Sequence, residues 1–261
     1  MLKLRLLTAA VLISLVLAAM FLLPPAGWRV FLLVPLAVAA HEWARLSRMT
    51  RAGEAVFIAA LLACIGVLMS DAMSLAGQRA VLGLSILFWL VIVPLWLWTH
   101  RRIDNRLILA VAGLVVLVPT WLAFAVLQRA PVLLLLLMAV VWIADTAAYF
   151  FGHQFGRHKL APRISPGKTW EGVGGALLCI AVYAAVLQYV DAVAQDEEML
   201  VPYLLAMTLF SVEGDLLESW LKRCAGVKDS GTILPGHGGI LDRIDALTSA
   251  LPLAAWLFAA Q

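Results

Sequence analysis

Ten of the chain's 35 charged side chains fall within positions 213–245 of a 261-residue sequence. They are Glu213, Asp215, Glu218, Lys222, Arg223, Lys228, Asp229, Asp242, Arg243 and Asp245. Asp215, Glu218, Ser219 and Lys222 recur at i, i+3, i+4 and i+7, which sets them on one face of a helix. The segment after them, Lys228-Asp229-Ser230-Gly231 through Pro235-Gly236-His237-Gly238-Gly239, is rich in glycine and brings backbone amides close to a ligand. Asp242-Arg243-Ile244-Asp245 then opens another helix with two aspartates at i, i+3. Carboxylates suit a hard cation such as Mg²⁺, usually shared with substrate phosphates. Lys222, Arg223, Lys228 and Arg243 are natural phosphate partners. Together these groups describe a phosphoryl or nucleotidyl transfer site.

Outside that window three features bear on chemistry. Asp145 sits six residues before the end of an apolar run and reaches roughly the same depth as Asp215, about 10 Å below one end of its helix. A carboxylate inside an apolar span is costly and marks a functional candidate. The basic segment from Arg157 to Glu171 holds Ser165-Pro166-Gly167-Lys168-Thr169. A Walker A loop would need glycine at 162, where the chain has Pro162, so that reading fails; a short phosphate-contacting loop using Ser165, Lys168 and Thr169, or a plain interfacial anchor, remains. His41-Glu42 lacks the second histidine of a zinc-protease helix, because Arg45 stands in its place. Cys64, Cys179 and Cys224 form no paired spacing and read as packing residues.

The elements that carry these residues follow from composition. Hydrophobic residues are 64% and charged residues 13%, against roughly 45–50% and 25% in an ordinary soluble domain. This excludes a soluble globule and a disordered chain, and a net charge of +3 is too mild to suggest nucleic acid. The chain reads as an all-α polytopic integral membrane protein, a single membrane domain over 1–261. Nine spans are expected, at 6–23, 28–40, 55–70, 80–98, 107–127, 131–151, 171–190, 199–222 and 246–260, the first read as a retained helix. Sixteen of nineteen Lys and Arg residues then fall on one side, leaving Arg29, Arg79 and Arg129 on the other. Positive residues mark the cytoplasmic face. The N-terminus is therefore expected inside, the C-terminus outside, and the charged cluster at the cytoplasmic face. The acidic stretch Asp191, Asp196, Glu197 and Glu198 would be a solvated outer connector.

The run Ser219-x-Leu221-Lys222-Arg223, four residues, Lys228-Asp229-x-Gly231, then Leu234-Pro235-x-His237-Gly238-Gly239-Ile240-x-Asp242-Arg243-Ile244-Asp245 resembles the signature of the phosphatidate cytidylyltransferase family. Asp145 and Ser165-Pro166-x-Lys168-Thr169 resemble its weaker motifs. The resemblance implies that CTP and phosphatidate become CDP-diacylglycerol and pyrophosphate, in a multi-pass and dimeric enzyme of the cytoplasmic (inner) membrane. It implies Mg²⁺, with K⁺ alongside, at Asp215 and Asp242, and Asp145 is a further metal candidate. Catalytic roles are expected for Asp215, Lys222, Arg223, Asp229, His237, Asp242 and Arg243. Substrate contacts are expected from Ser165, Lys168, Thr169, Ser219, Lys228, Gly238 and Gly239. Two other readings compete: in the same broad class a CTP-dependent polyprenol kinase, separable by which phosphate of CTP is transferred, and from a different class a cation-coupled transporter, separable by flux without CTP turnover.

Overall fold

A computed structural model describes residues 2–70, 73–193, 197–234 and 236–258. Asp196 and Pro235, named above, lie outside the described residues. The elements run α1 (Leu2–Leu22), α2 (Pro25–Phe31), α3 (Leu33–Leu46), α4 (Arg51–Met69), α5 (Leu75–Leu87), α6 (Val93–Thr99), α7 (Arg106–Leu127), α8 (Pro131–Phe155), β1 (Lys159–Ala161), β2 (Ser165–Thr169), α9 (Trp170–Tyr189), α10 (Glu197–Ala225) and α11 (Leu241–Phe258). Polar residues set many of the helix starts. Thr50, Ser74, Asn105 and Thr169 each accept an N–H from the first turn of the following helix, worth about 1 kcal/mol per cap.

Six helices among the described residues are long and apolar enough to cross a membrane: Arg51–Met69, Leu75–Thr99, Arg106–Leu127, Pro131–Phe155, Trp170–Tyr189 and Met199–Ala225. Three expected spans look different. The first contributes the apolar stretch Thr8–Leu22. The stretch 28–40 divides between α2 and α3 around Leu32, and α3 has only 14 residues. The last is α11, with 18 residues, whose first turn is polar. A wide π turn over Phe88–Ile92 joins α5 to α6. It precedes Pro94, which cannot donate to the carbonyl four residues back and crowds it.

α7 and α11 form the centre, with α3, α4 and α5 packed on α7, and α10, α9 and α8 following one another around α11. The buried apolar side chains make one contiguous cluster from Ala19 to Phe258. Trp28 and Trp43 donate their indole N–H to the carbonyls of Phe124 and Leu109 in α7, both at 2.9 Å, fixing α2 and α3 against it. Many large apolar side chains outside the cluster, such as Leu22, Val34, Val56 and Leu107, are exposed on helix surfaces, as expected of a protein solvated by lipid.

Two close crossings aim the functional helices. At Gly214 a Cβ would lie 2.5 Å from the Asp245 carbonyl oxygen and 2.6 Å from Ser249 Oγ. Only a hydrogen fits, so α10 and α11 meet one residue before Asp215. Ser249 Oγ also donates to the Phe210 carbonyl at 2.6 Å. At Gly175 a Cβ would clash with the Phe151 ring, so α8 and α9 pack tightly and bring Asp145 alongside.

The fold is all-α as expected, with one short local exception. The basic segment between α8 and α9 is an antiparallel hairpin, with Lys159 opposite Thr169 and Ala161 opposite Ser165. Pro162 and Pro166 explain it, since each holds the residue before it in an extended conformation and neither can sit inside a helix. Glu171 anchors the hairpin base, accepting from the His158 backbone N–H at 3.2 Å.

Candidate active site

Lys222 is the hub. Near the C-terminal end of α10, its ammonium donates to Asp242 Oδ1 at 2.7 Å and forms an ion pair with Glu218, one turn earlier. Asp242, in the first turn of α11, turns its other oxygen to the glycine loop. Oδ2 accepts from the Ser230 N–H at 2.9 Å, the Ser230 hydroxyl at 2.9 Å and the Gly239 N–H at 2.8 Å. Burial pushes the Asp242 carboxyl up, but the Lys222 ammonium and the Gly239 N–H outweigh it and hold the group at about 2. A carboxylate has about four lone-pair directions. The four donors leave Asp242 open only through Oδ1.

A second pair lies beside the first. Asp215 Oδ2 meets the Lys168 ammonium of β2 at 2.5 Å, and Asp215 Oδ1 accepts from the Ser219 hydroxyl at 3.2 Å. Asp145 of α8 and Asp245 of α11 lie within electrostatic range of Asp215. Three helices and the hairpin therefore bring carboxylates and lysines to one place, as the common depth of Asp145 and Asp215 implies. All of these donors are oxygens, the set that suits Mg²⁺. Among the described residues no three His, Cys, Asp or Glu side chains converge closely enough to hold a metal by themselves. Water and substrate phosphate oxygens would complete the coordination, which is how Mg²⁺ is ordinarily held.

Beside the cluster the loop borders an open cavity of about 550 Å³, lined by Lys228, Asp229, Thr232, His237 and Arg243 together with three glycines. The loop folds back on itself, with the Leu234 N–H donating to the Gly238 carbonyl at 3.0 Å. Gly238 takes φ +81°, and a Cβ there would come within 2.8 Å of Asp242 Oδ2. The glycine is required both by its backbone conformation and by the approach of the carboxylate.

The profile of the cytidylyltransferase family matches residues 3–260. The chain belongs to that family. A phosphatidate cytidylyltransferase of Pseudomonas aeruginosa is 40% identical over 275 residues, covering all of this chain and 98% of the relative. A phosphatidate cytidylyltransferase of Haemophilus influenzae is 45% identical over 130 residues, 48% of this chain and 45% of the relative. One of Staphylococcus aureus is 52% identical over 115 residues, 44% of each chain.

Within this cytidylyltransferase most of the expected residues gather, though not all in the form expected. Lys228, Asp229, His237, Gly238 and Arg243 line the cavity. The His237 ring keeps its Nδ1 buried without a partner among the described residues. Arg223 points elsewhere, donating from Nε to the Ile164 carbonyl at 3.3 Å, so it ties the hairpin to α10. Thr169 is buried and its hydroxyl oxygen accepts the Gly172 N–H at 3.1 Å. It caps α9 and aims the neighbouring Lys168. Gly239 contributes through its N–H to Asp242.

Two residues were not anticipated. Arg48, at the α3–α4 turn, donates from Nη2 to the carbonyls of Cys224 and Ala225, closing the C-terminal end of α10. Glu42 reaches the loop from α3. A charged residue continuing an apolar helix was the available signal for Glu42, and no local pattern named its partner.

Proposed function

We propose that this chain transfers the cytidylyl group of CTP to phosphatidate, releasing pyrophosphate and forming CDP-diacylglycerol. The observation that carries the reading is the Lys222 ammonium shared between Glu218 and Asp242 beside an open, cation-rimmed cavity, in a chain that aligns along its whole length with a phosphatidate cytidylyltransferase.

A phosphate oxygen of the lipid attacks the α-phosphorus of CTP, and the bond to the β-phosphate oxygen breaks. The attacking phosphate monoester has its second pKa near 6 and is mostly a dianion at pH 7, so it needs no strong base. What the reaction requires is placement and neutralisation of negative charge. Lys228 and Arg243 line the cavity and take up triphosphate charge there. Lys168 and Lys222 hold their carboxylates until substrate phosphates compete for the ammonium groups. Asp215, Asp145 and the free side of Asp242 would hold Mg²⁺ only together with water and substrate phosphate oxygens that complete its shell, and the ion when bound would neutralise phosphate charge. K⁺ is proposed as a second cation at the same group. Turnover of purified protein that requires Mg²⁺, rises with K⁺ and disappears in Asp215→Asn supports this assignment; a variant with the normal rate and cation dependence removes Asp215 from it.

The segregation of basic residues supports nine crossings of a bacterial inner membrane, the N-terminus cytoplasmic, the C-terminus outside and the site facing the cytoplasm. Reporters fused in the 101–106 loop and at the C-terminus should read inside and outside respectively; a cytoplasmic C-terminus removes a span. The protein is proposed to be a homodimer, to be checked by its mass in detergent.

A further inference from the structure

Glu42 lies in α3 and none of its surface is exposed (0%). Its partners are 188 or more positions away. Oε2 accepts the Ser230 hydroxyl at 3.0 Å and the Leu241 N–H at 2.7 Å, and Oε1 accepts the Ile240 N–H at 3.1 Å. The Ile240 and Leu241 amides stand at the start of α11, where helix N–H groups have no partner within the helix. Glu42 therefore caps α11 from a different part of the chain, at the helix end that favours negative charge.

The same carboxylate shapes the loop. A Cβ on Gly231 would lie 2.2 Å from Glu42 Oε1, and one on Gly239 would lie 2.4 and 2.5 Å from its two oxygens. Both glycines are needed to let Glu42 in. Ser230 links it to the cluster, since its hydroxyl lies 3.0 Å from Glu42 Oε2 and 2.9 Å from Asp242 Oδ2. A hydroxyl has one hydrogen, so the two carboxylates share a single donor. A buried charge held only by amides and a hydroxyl is costly unless its bonds are all made. Here they converge on the two ends of the segment that carries the cavity.

We propose that Glu42 is a positioning residue, which ties Ser230 to the start of α11 and so holds Asp242 toward Lys222 and the cavity. This rests on the reading that Asp242 belongs to the active site. Glu42→Gln keeps the volume but turns an NH₂ group toward at least one N–H or O–H donor. In the full-length protein, amide exchange at 239–242 should quicken, and turnover should fall, each by at least about tenfold, the size expected for a lost charged hydrogen bond. Exchange in α7, α8 and α9 should stay as in the wild type. Ser230→Ala removes only the shared hydroxyl and should show the same local pattern at about threefold or more. Wild-type exchange at 239–242 in both variants, or exchange that quickens equally across all helices, overturns the proposal. Asp242→Asn, measured alongside, separates the two claims. If it turns over normally while Glu42→Gln loosens 239–242, the tie stands and the site reading fails.

Discussion

Replacing Lys222 with methionine removes the charge but keeps most of the unbranched apolar stem of the side chain. The structure distinguishes this lysine sharply from Lys168, the other lysine paired to an acid among the described residues. The side chains of Lys222 and Asp242 are 14% and 5% exposed, whereas those of Lys168 and Asp215 are 23% and 32% exposed. Breaking a buried pair by deleting one member costs about 3–5 kcal/mol, because the other charge is stranded. Glu218 has an escape, since a buried carboxylate without a partner can take a proton. Asp242 keeps its three loop donors, which puts the loss at the lower end, about 3 kcal/mol. For a chain of this size about 2–4 °C accompany each kcal/mol, so the melting temperature in detergent should drop by roughly 6–12 °C. Lys168→Met breaks a wetter pair worth about 1 kcal/mol or less, a drop of at most about 4 °C. Both variants should lose turnover. The comparison is made by thermal unfolding of the two purified variants in one detergent. If Lys222→Met melts within about 2 °C of the wild type, or no lower than Lys168→Met, the central pair is not the buried contact described.

Gly239→Ala should abolish turnover and lower thermal stability, because its Cβ would meet Ser230 Oγ at 2.2 Å and both Glu42 oxygens; overpacking of this kind costs about 1–3 kcal/mol. Gly167→Ala, where a Cβ meets nothing within 4 Å, should melt like the wild type, and equal melting of the two variants contradicts the packing. His237→Gln should reduce the rate through CTP placement, yet keep the acid limb of the pH–rate profile. That limb belongs to the lipid phosphate, which loses its second negative charge below about pH 6. Loss of the limb in this variant would make His237 the general base.

The local geometry of the candidate site was largely legible. Asp215, Ser219 and Lys222 declare a shared face by helical spacing alone, and the glycines at 238 and 239 declare a loop whose amides can come close to a ligand; that carboxylates of the chain itself approach it is visible only in the structure. Contacts distant in sequence were not legible. Glu42 reads locally as half of a zinc motif, and its partners at 230, 240 and 241 lie on the far side of seven intervening helices. Arg223 and Thr169 have the right types for phosphate contact, but tertiary packing turns one to the Ile164 carbonyl and the other to a helix cap. The hairpin at 159–169 was hidden because its strands are too short for alternation to register. Hydropathy located the long spans well. It placed one at 28–40, where Pro24 and Pro25 start a short helix that ends at Phe31.

The most direct test of the reaction uses purified protein, phosphatidate and Mg²⁺ with CTP labelled at either the α- or the γ-phosphate. Cytidylyl transfer carries the α-label into the lipid product and leaves the γ-label in pyrophosphate. Lipid labelled from γ-CTP and not from α-CTP would instead mean phosphoryl transfer, and the site would be that of a lipid kinase.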